Sequence, residues 1–123
     1  MEANVEVVAE RKCPIETVIH IVGGKWKPLI LWHLLDSNKR FSELEKLIPE
    51  VTQKMLTQHL RELENNRLIT RTIYPTVPIK VDYSLSEYGL TLVPVLKVMC
   101  AWGEIHNQMN SSVRVPARVG VQI

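Results

Sequence analysis

A polar stripe at helical spacing runs through residues 52–64. Its members are Gln53, Lys54, Thr57, Gln58 and Arg61. At about 100° per residue, Leu56, Leu60 and Leu63 form a second stripe on the opposite face of the same helix. Lysine, arginine, glutamine and threonine hydrogen-bond to phosphates and to base edges, and no acid interrupts the polar stripe before Glu62. The pattern indicates a face that reads DNA, against the alternative of an ordinary solvated helix face.

The two cysteines are the other reactive groups. Cys13 precedes Pro14 at the start of a predicted helix and follows Arg11 and Lys12. A helix N-terminus and nearby cations stabilise the thiolate, which is the reactive form of cysteine. The sequence leaves two interpretations of Cys13 open, a reactive thiol and a small apolar residue at a helix end. Cys100 lies in an apolar stretch, and we expect it to be buried and inert.

No other set of residues has the spacing of a catalytic or metal site. The four histidines, His20, His33, His59 and His106, are scattered, and there is no glycine-rich phosphate loop, Ser/His/Asp order or carboxylate pair. A metal site would need clustered cysteine, histidine or acidic ligands. We therefore expect no enzymatic activity, no metal and no cofactor, with the histidines at core edges or on the surface.

Length and composition describe one small domain. The chain has 123 residues, of which 46% are hydrophobic and 23% charged, and its net charge is only +2. A nucleic-acid-binding protein of this charge must concentrate its basic residues locally, as residues 53–61 and 67–80 do. The most apolar stretch is too short to span a bilayer, and the N-terminus has no signal-peptide pattern. We expect a cytoplasmic protein without membrane contact, in which two free thiols fit a reducing compartment.

Apolar periodicity predicts three helices before the polar stripe. The first begins at Pro14 and ends at Gly23–Gly24. The second begins near Lys25 and is almost wholly apolar, which predicts that it is buried. Ser42 and Glu45 have capping-box spacing and predict the start of the third.

The polar stripe belongs to a fourth helix, with Thr52 as its expected cap. A tight turn joins it to the third helix, which is the helix-turn-helix arrangement. β-Branched residues at 68–74 and alternation at 81–85 predict a hairpin with its tip at 75–78. The expected fold class is mainly α with a small β-hairpin (α+β), a winged helix-turn-helix in which the hairpin is the wing.

A last helix is predicted from Glu87, capped by Ser86 and kinked at Pro94. Its apolar stripe exceeds what a small core needs, which predicts dimerisation through this helix and the first one. The alternative is that the stripe completes the core of a monomer. The expected dimer contacts are Leu92, Val95, Leu96, Met99 and Trp102. The corresponding domain boundaries are a flexible N-terminal arm (1–12), the winged domain with its dimerisation helices (13–107) and a flexible or extended tail (108–123).

Six short motifs, in this order and spacing, resemble a known protein family. They are Cys13-Pro14, Gly24-Lys25-Trp26, Arg40-Phe41-Ser42-Glu43-Leu44, Gln53-Lys54-Met55-Leu56, Leu60-Arg61-Glu62-Leu63-Glu64 and Val81-Asp82-Tyr83-Ser84-Leu85-Ser86. Together they resemble the HxlR-type transcription regulators, relatives of the MarR-like winged-helix proteins. The resemblance implies a homodimer that binds pseudo-palindromic operator DNA, usually as a repressor and sometimes as an activator. It also implies a response to electrophiles or oxidants through the cysteine that Cys13 matches.

The chain departs from the family pattern at the wing. Many relatives have a second consecutive proline where this chain has Ile79. The partner cysteines of redox-responsive relatives vary in position, so the resemblance assigns no role to Cys100.

In a winged helix-turn-helix, the N-terminal end of the fourth helix enters the major groove. We expect Gln53, Lys54, Thr57 and Gln58 near base edges, with Thr52 beside them. The expected phosphate contacts are Arg61 on the fourth helix and Ser42 at the start of the third. On the wing, Arg71 and Lys80 flank the tip and are expected to reach the adjacent DNA backbone or the minor groove. A solvated strand end is the alternative for Arg71.

Two further functions are open to the same fold. The first is a winged helix used only as a protein-interaction module, although such modules generally lack a basic face free of acids. The second is a DNA-binding regulator controlled by a small apolar effector, with Trp26, Trp32 and Trp102 lining the effector site.

Overall fold

A computed structural model describes residues 13–113, with side chains described as far as residue 110. The chain forms two compact units, residues 13–89 and residues 90–113 of this range. The elements of the first unit are α1 (Pro14–Val22), α2 (Trp26–His33), α3 (Phe41–Leu47), α4 (Gln53–Asn65), β1 (Ile69–Tyr74) and β2 (Lys80–Leu85). A 3₁₀ turn (Gly89–Leu92) precedes α5 (Val93–Val113).

The first two helices follow the sequence prediction. Pro14 occupies the first position of α1, and the N–H of Gly23 closes the helix by donating to the carbonyl of Ile19 at 2.8 Å. Gly24 has φ of +87°, in the left-handed region that favours glycine, and the chain turns there into α2. Ile30 of α2 is fully buried, as expected for the apolar second helix.

The core of the first unit is built on the leucine stripe of α4. Leu56, Leu60 and Leu63 are buried, as the helical spacing predicts. Burying each such side chain contributes roughly 1.5–3 kcal/mol, so the stripe determines which face of α4 points outward. The largest fully buried side chains are Ile30, Leu31, Leu44, Leu56, Leu60 and Leu63.

Helix α3 begins earlier than predicted. Its N-cap is Arg40, whose backbone N–H donates to the Glu43 carboxylate at 2.8 Å. The predicted capping box of Ser42 with Glu45 is therefore wrong, because Glu43 is the acid that reaches back to the helix start. Ser42 lies in the first turn instead of at the cap.

Strands β1 and β2 pair antiparallel, with Tyr74 opposite Lys80 at the tip, and form the predicted wing. The loop before α3 is joined to this wing through its backbone. Lys39 donates its N–H to the carbonyl of Tyr83 at 2.9 Å, and Tyr83 donates back to Lys39 at 2.8 Å. Helix-turn-helix and hairpin together form the expected α+β winged helix-turn-helix fold.

The entry to and exit from the wing are also joined. Arg67, just before β1, has φ of +66°, and its carbonyl accepts a hydrogen bond from the Ser86 hydroxyl. The same hydroxyl oxygen accepts from the N–H of Gly89 at 2.8 Å. A Cβ atom on Gly89 would lie 2.0 Å from the carbonyl oxygen of Leu68, so only glycine fits there.

Helix α5 starts later than predicted. Ser86 caps the 3₁₀ turn rather than an α-helix beginning at Glu87, and the α-helix starts only at Val93. Pro94 consequently lies in the first turn of α5. Backbone N–H groups in the first turn have no acceptor within the helix, so a proline there removes no helical hydrogen bond. The expected kink inside a longer helix is therefore wrong.

The end of α5 also lies beyond the predicted boundary at residue 107. The helix continues to Val113, so residues 108–113 are helical and not part of an extended tail. The predicted arm at 1–12 and the rest of the predicted tail, 114–123, lie outside the described residues.

Candidate nucleic-acid interface

The polar stripe of α4 forms the outer face of the helix-turn-helix, and we call its five residues the reading face. The Thr52 hydroxyl caps the helix by accepting from the N–H of Met55 at 3.1 Å, as predicted. All five side chains are exposed, because the leucine stripe occupies the opposite side. They line one open groove of about 550 Å³, comprising Gln53, Lys54, Thr57, Gln58 and Arg61.

A second groove, of about 410 Å³, lies between α4 and the wing. Arg61 approaches it from α4 and Arg71 from β1, so the fold brings together two of the predicted phosphate contacts. Glu64 is an acid in the same groove, and Tyr83 and Thr57 complete its polar lining. The two guanidinium groups outnumber the carboxylate, and the groove has the charge that a phosphate backbone requires.

A third groove, of about 330 Å³, joins the start of α3 to the wing. Ser42 and Lys80, both predicted phosphate contacts, line it together with Arg40 and Asn38, which sequence reasoning missed. Two acids, Glu43 and Asp82, line the same groove and balance its two cations. The Arg40 Nε lies 4.0 Å from Asp82 Oδ1, and the arginine side chain remains 54% exposed. This long contact leaves the Arg40 guanidinium accessible to an anion. The i, i+3 spacing of Arg40 and Glu43 was compatible with its position at the N-cap of α3, but the competing pair of Ser42 and Glu45 concealed it.

Lys80 is held at the wing by an aromatic partner. Its Nζ lies 5.1 Å from the centre of the Tyr74 ring, the residue opposite it in the β-ladder. A cation–π contact of this kind orients the ammonium group without neutralising it. The wing tip beyond this pair is apolar and exposed, with Val77 fully accessible and Ile79, the departure from the family pattern, 68% exposed.

One acid on α4 is engaged from three directions. Lys27 Nζ of α2 forms an ion pair with Glu62 Oε1 at 2.8 Å, and Gln58 Nε2 donates a hydrogen bond to Glu62 Oε2 at 3.2 Å. His59 Nδ1 is 3.8 Å away. The hydrogen bond from Lys27, and then the one from Gln58, lower the pKa of Glu62 below its ordinary value. Sequence reasoning missed this link to the reading face, although the i, i+4 spacing of Gln58 and Glu62 was a signal for it.

Both cysteines are exposed free thiols. Cys13 is the N-cap of α1, where its carbonyl accepts from the N–H of Thr17 at 3.1 Å. The prediction that Cys100 is buried is wrong. It lies on α5, most of whose apolar residues are open to solvent, so an apolar neighbourhood in sequence does not bury it.

Helix α5 exposes most of its apolar stripe. Among the predicted dimer contacts, Val95, Met99 and Trp102 are exposed, with Trp102 at 62%, and Leu92 is half-buried. Leu96 differs, since it is only 4% exposed within the single chain and so offers no surface to a partner. Further exposed apolar side chains on α5 are Val98, Ile105 and Met109.

Helix α1 carries a second exposed apolar surface. Ile15, Val18 and Ile19 are all more than one-third accessible. A small soluble chain rarely leaves contiguous apolar surface of this kind uncovered, and such surfaces mark interaction sites.

The histidines and tryptophans of the described residues are spread over several elements. His20 and His106 are exposed, while His33 and His59 are half-buried, as expected for surface and core-edge residues. Within residues 13–113, no group of three or more potential metal ligands comes together, and none of the helices is long and apolar enough to cross a membrane. Trp26 and Trp32 are half-buried in α2.

Comparison with known proteins gives one consistent result. The family model of the HxlR-like helix-turn-helix matches residues 21–111. The chain is 55% identical over 92 residues to YdeP, an HTH-type transcriptional regulator of Bacillus subtilis, covering 75% of this chain and 72% of YdeP. The redox regulator HypR in its reduced form has a similar structure, with a TM-score of 0.77 and 43% identity over 81% of this chain and 99% of HypR. Reduced YodB from B. subtilis gives a TM-score of 0.68 and 40% identity, over 76% of this chain and 93% of YodB.

Proposed function

The chain belongs to the HxlR-like helix-turn-helix family of transcriptional regulators, which bind DNA and are not enzymes, and we propose that it acts as a homodimer on a pseudo-palindromic operator. The observation that carries this proposal is the reading face, five exposed polar residues with two lysine or arginine side chains and no acid among them. Family members are usually repressors, and repression is the proposed sign of regulation. The proposed compartment is the cytoplasm.

Sequence is read by α4 in this proposal. Gln53, Lys54, Thr57 and Gln58 contact base edges in the major groove, near the helix end capped by Thr52. Amides and ammonium groups suit this task because adenine offers a donor and an acceptor there, while guanine offers two acceptors.

The DNA backbone is held on both sides of α4. Arg61 and Arg71 share the groove between α4 and the wing, so one phosphate strand crossing that groove would meet both guanidinium groups. Ser42 and Lys80 share the groove at the start of α3, where Arg40 adds a further cation. Contacts of this kind set position and affinity and carry no sequence information.

Dimerisation is supported by the exposed apolar side of α5. Val95, Met99 and Trp102 would pack against the same surface of a second copy. An isologous interface of this kind relates two reading faces by a two-fold axis. Half-sites about 34 Å apart, one helical turn of DNA, would then be read together.

Selection of binding sites from a randomised DNA library tests the reading role. Wild-type protein should enrich an inverted repeat, and Lys54→Ala with Gln58→Ala should lose discrimination of about 1–3 kcal/mol for each well-made base contact. Lys80→Ala is the matched control, because loss of a phosphate contact weakens all sequences alike and reduces the salt slope by about one. Unchanged site preference in the double variant would exclude α4 as the reading element.

Regulation is proposed to act through Cys13. Its thiol is exposed at the N-cap of α1, and the similar protein HypR is described as a redox regulator, while YodB has been solved after diamide treatment. Addition of a quinone-type electrophile would form a carbon–sulfur bond, and the thiol proton would pass to the adduct. The added group would lie beside Ile15 and the rest of the exposed apolar side of α1, and would change packing against the partner.

Operator binding after quinone treatment tests this role. Wild-type protein modified at Cys13, verified by mass spectrometry, should release its operator, whereas Cys13→Ser should retain it. Cys100→Ser serves as the matched control, because the second thiol is exposed as well. Full operator binding by the modified wild type would contradict sensing at Cys13 and favour a small apolar effector.

A further inference from the structure

Gln58 is the reading-face residue whose side-chain amide is already hydrogen-bonded within the protein. Its Nε2 donates to Glu62 Oε2 at 3.2 Å, one helical turn further along α4. An ionised carboxylate has no hydrogen to donate, so only the NH₂ end of the amide can face it. The amide is therefore oriented by its partner, and its carbonyl oxygen and second N–H remain free to face outward.

Glu62 is itself anchored from inside the protein. Lys27 Nζ of α2 lies 2.8 Å from Glu62 Oε1, and the lysine side chain is only 12% exposed. An isolated i, i+4 pair on a helix surface is weak, at about 0.2–0.5 kcal/mol. Here the carboxylate is already held by a nearly buried ammonium, so orienting Gln58 does not require ordering a free acid. A glutamate is ionised at neutral pH, and the hydrogen bond from Lys27 lowers the pKa of Glu62 further.

We propose, on the basis of the DNA-reading role proposed above, that Glu62 is a positioning residue that holds the Gln58 amide in one orientation and so makes Gln58 selective for adenine. Adenine presents N7 as an acceptor and N6–H as a donor in the major groove, which matches one free N–H and one carbonyl oxygen. Guanine presents two acceptors, N7 and O6, and the oriented carbonyl oxygen would face one of them. A freely rotating amide could turn its NH₂ group toward both, so loss of Glu62 removes the discrimination against guanine.

Gln53 provides an internal comparison. It lies on the same reading face, and its side-chain amide makes no hydrogen bond with any residue that the structure describes. Both side chains are exposed glutamines on α4, and they differ in the presence of the Glu62 partner. Glu64 provides the matched acid, since it lies on a different side of α4, in the groove with Arg61 and Arg71.

Site selection from randomised DNA is the main test. The base pair read by Gln58 is identified as the position whose preference disappears in Gln58→Ala. At that position wild-type protein should select adenine, and Glu62→Ala should lower the preference for adenine over guanine by about fivefold or more. The double variant should be no worse than Gln58→Ala alone. Glu64→Ala removes the same charge from the groove proposed to hold the DNA backbone, so it should change the affinity for all sequences alike and leave the preference for adenine over guanine unchanged.

Side-chain NMR relaxation on the wild type gives a second readout that does not depend on a variant folding. The Gln58 NH₂ group should have a higher order parameter than the Gln53 NH₂ group in the free protein. Equal mobility of the two amides, selection of another base at the Gln58 position, or an unchanged preference in folded Glu62→Ala would each overturn the proposal. Failure of the wild type to enrich any sequence would instead overturn the DNA-reading role itself, so the two failures are distinguishable.

Discussion

The two longest helices of the described chain, α4 and α5, differ in whether their apolar residues are buried or exposed. In α4 the leucine stripe is buried inside the unit to which it belongs, and the polar residues are left outside. In α5 the apolar stripe is largely exposed, with Leu96 the buried exception among its predicted dimer contacts. The outward side of α4 is thus determined by its own leucine stripe, whereas most of the apolar side of α5 is exposed in the part of the chain that the structure describes. Similar periodicities therefore describe a folding surface in α4 and, in the proposed dimer, an association surface in α5.

Truncation of the α4 core should give the largest effect. Leu60 is 1% exposed, so Leu60→Ala should lower the free energy of unfolding by about 2–5 kcal/mol and loosen the reading face. Urea unfolding followed by circular dichroism measures this loss. Met55→Ala on the same helix is the matched control, because Met55 is 38% exposed and its truncation leaves no cavity. Equal losses in the two variants would contradict a core built on the leucine stripe.

A charge on the α5 surface should act on association instead. Trp102→Glu places a carboxylate in the proposed interface and should weaken the dimer by about 30-fold or more, as for a central aromatic anchor. Analytical ultracentrifugation over a concentration series measures the shift, and Lys97→Ala on the same helix should leave it unchanged. A monomeric wild type at micromolar concentration would remove the contrast between the two helices.

Acid should have the smallest effect on stability, through the Lys27–Glu62 pair that joins α2 to α4. The pKa of Glu62 is lowered in the folded protein, so its stabilising contribution is present above the pKa of the unfolded chain and is lost as pH falls through the folded pKa. At neutral pH the free energy of unfolding measured in urea should therefore be larger for the wild type than for Glu62→Gln. The difference should shrink as pH falls from the unfolded-chain pKa of Glu62 through its lower folded pKa. Asp36, whose pKa is lowered by Lys39, titrates alike in both proteins and cancels. A pH-independent difference would show that the Lys27–Glu62 pair contributes nothing through its charge.

Local signals in the sequence predicted the elements that depend on near neighbours. Thr52 as the cap of α4, Gly24 after α1 and the prolines at the wing tip act within a few residues, and the structure agrees with each. The start of α3 was missed because two acids, Glu43 and Glu45, compete for one capping role, and only tertiary structure decides between them.

Contacts between distant residues could not be read from periodicity. Lys27 and Glu62 lie on different helices, and their separation in the sequence does not predict the ion pair that links α2 to the reading face. The exposure of Cys100 was missed for a related reason. An apolar stretch predicts burial only where another surface covers it, and the apolar side chains near Cys100 on α5 are largely exposed among the described residues.

The paired backbone hydrogen bonds between Lys39 and Tyr83 have a mechanical consequence. They join the wing to the segment that leads into α3, so we expect the helix-turn-helix and the hairpin to move together as one rigid unit. A dimer of two rigid DNA-binding units can adapt to a changed half-site spacing only at the contact between its subunits. One inserted base pair turns one half-site relative to the other by roughly a tenth of a helical turn. In the proposed dimer the rigid DNA-binding units would not adapt to that rotation. The contact between the two copies of α5 would then determine how much variation in operator spacing the protein accepts.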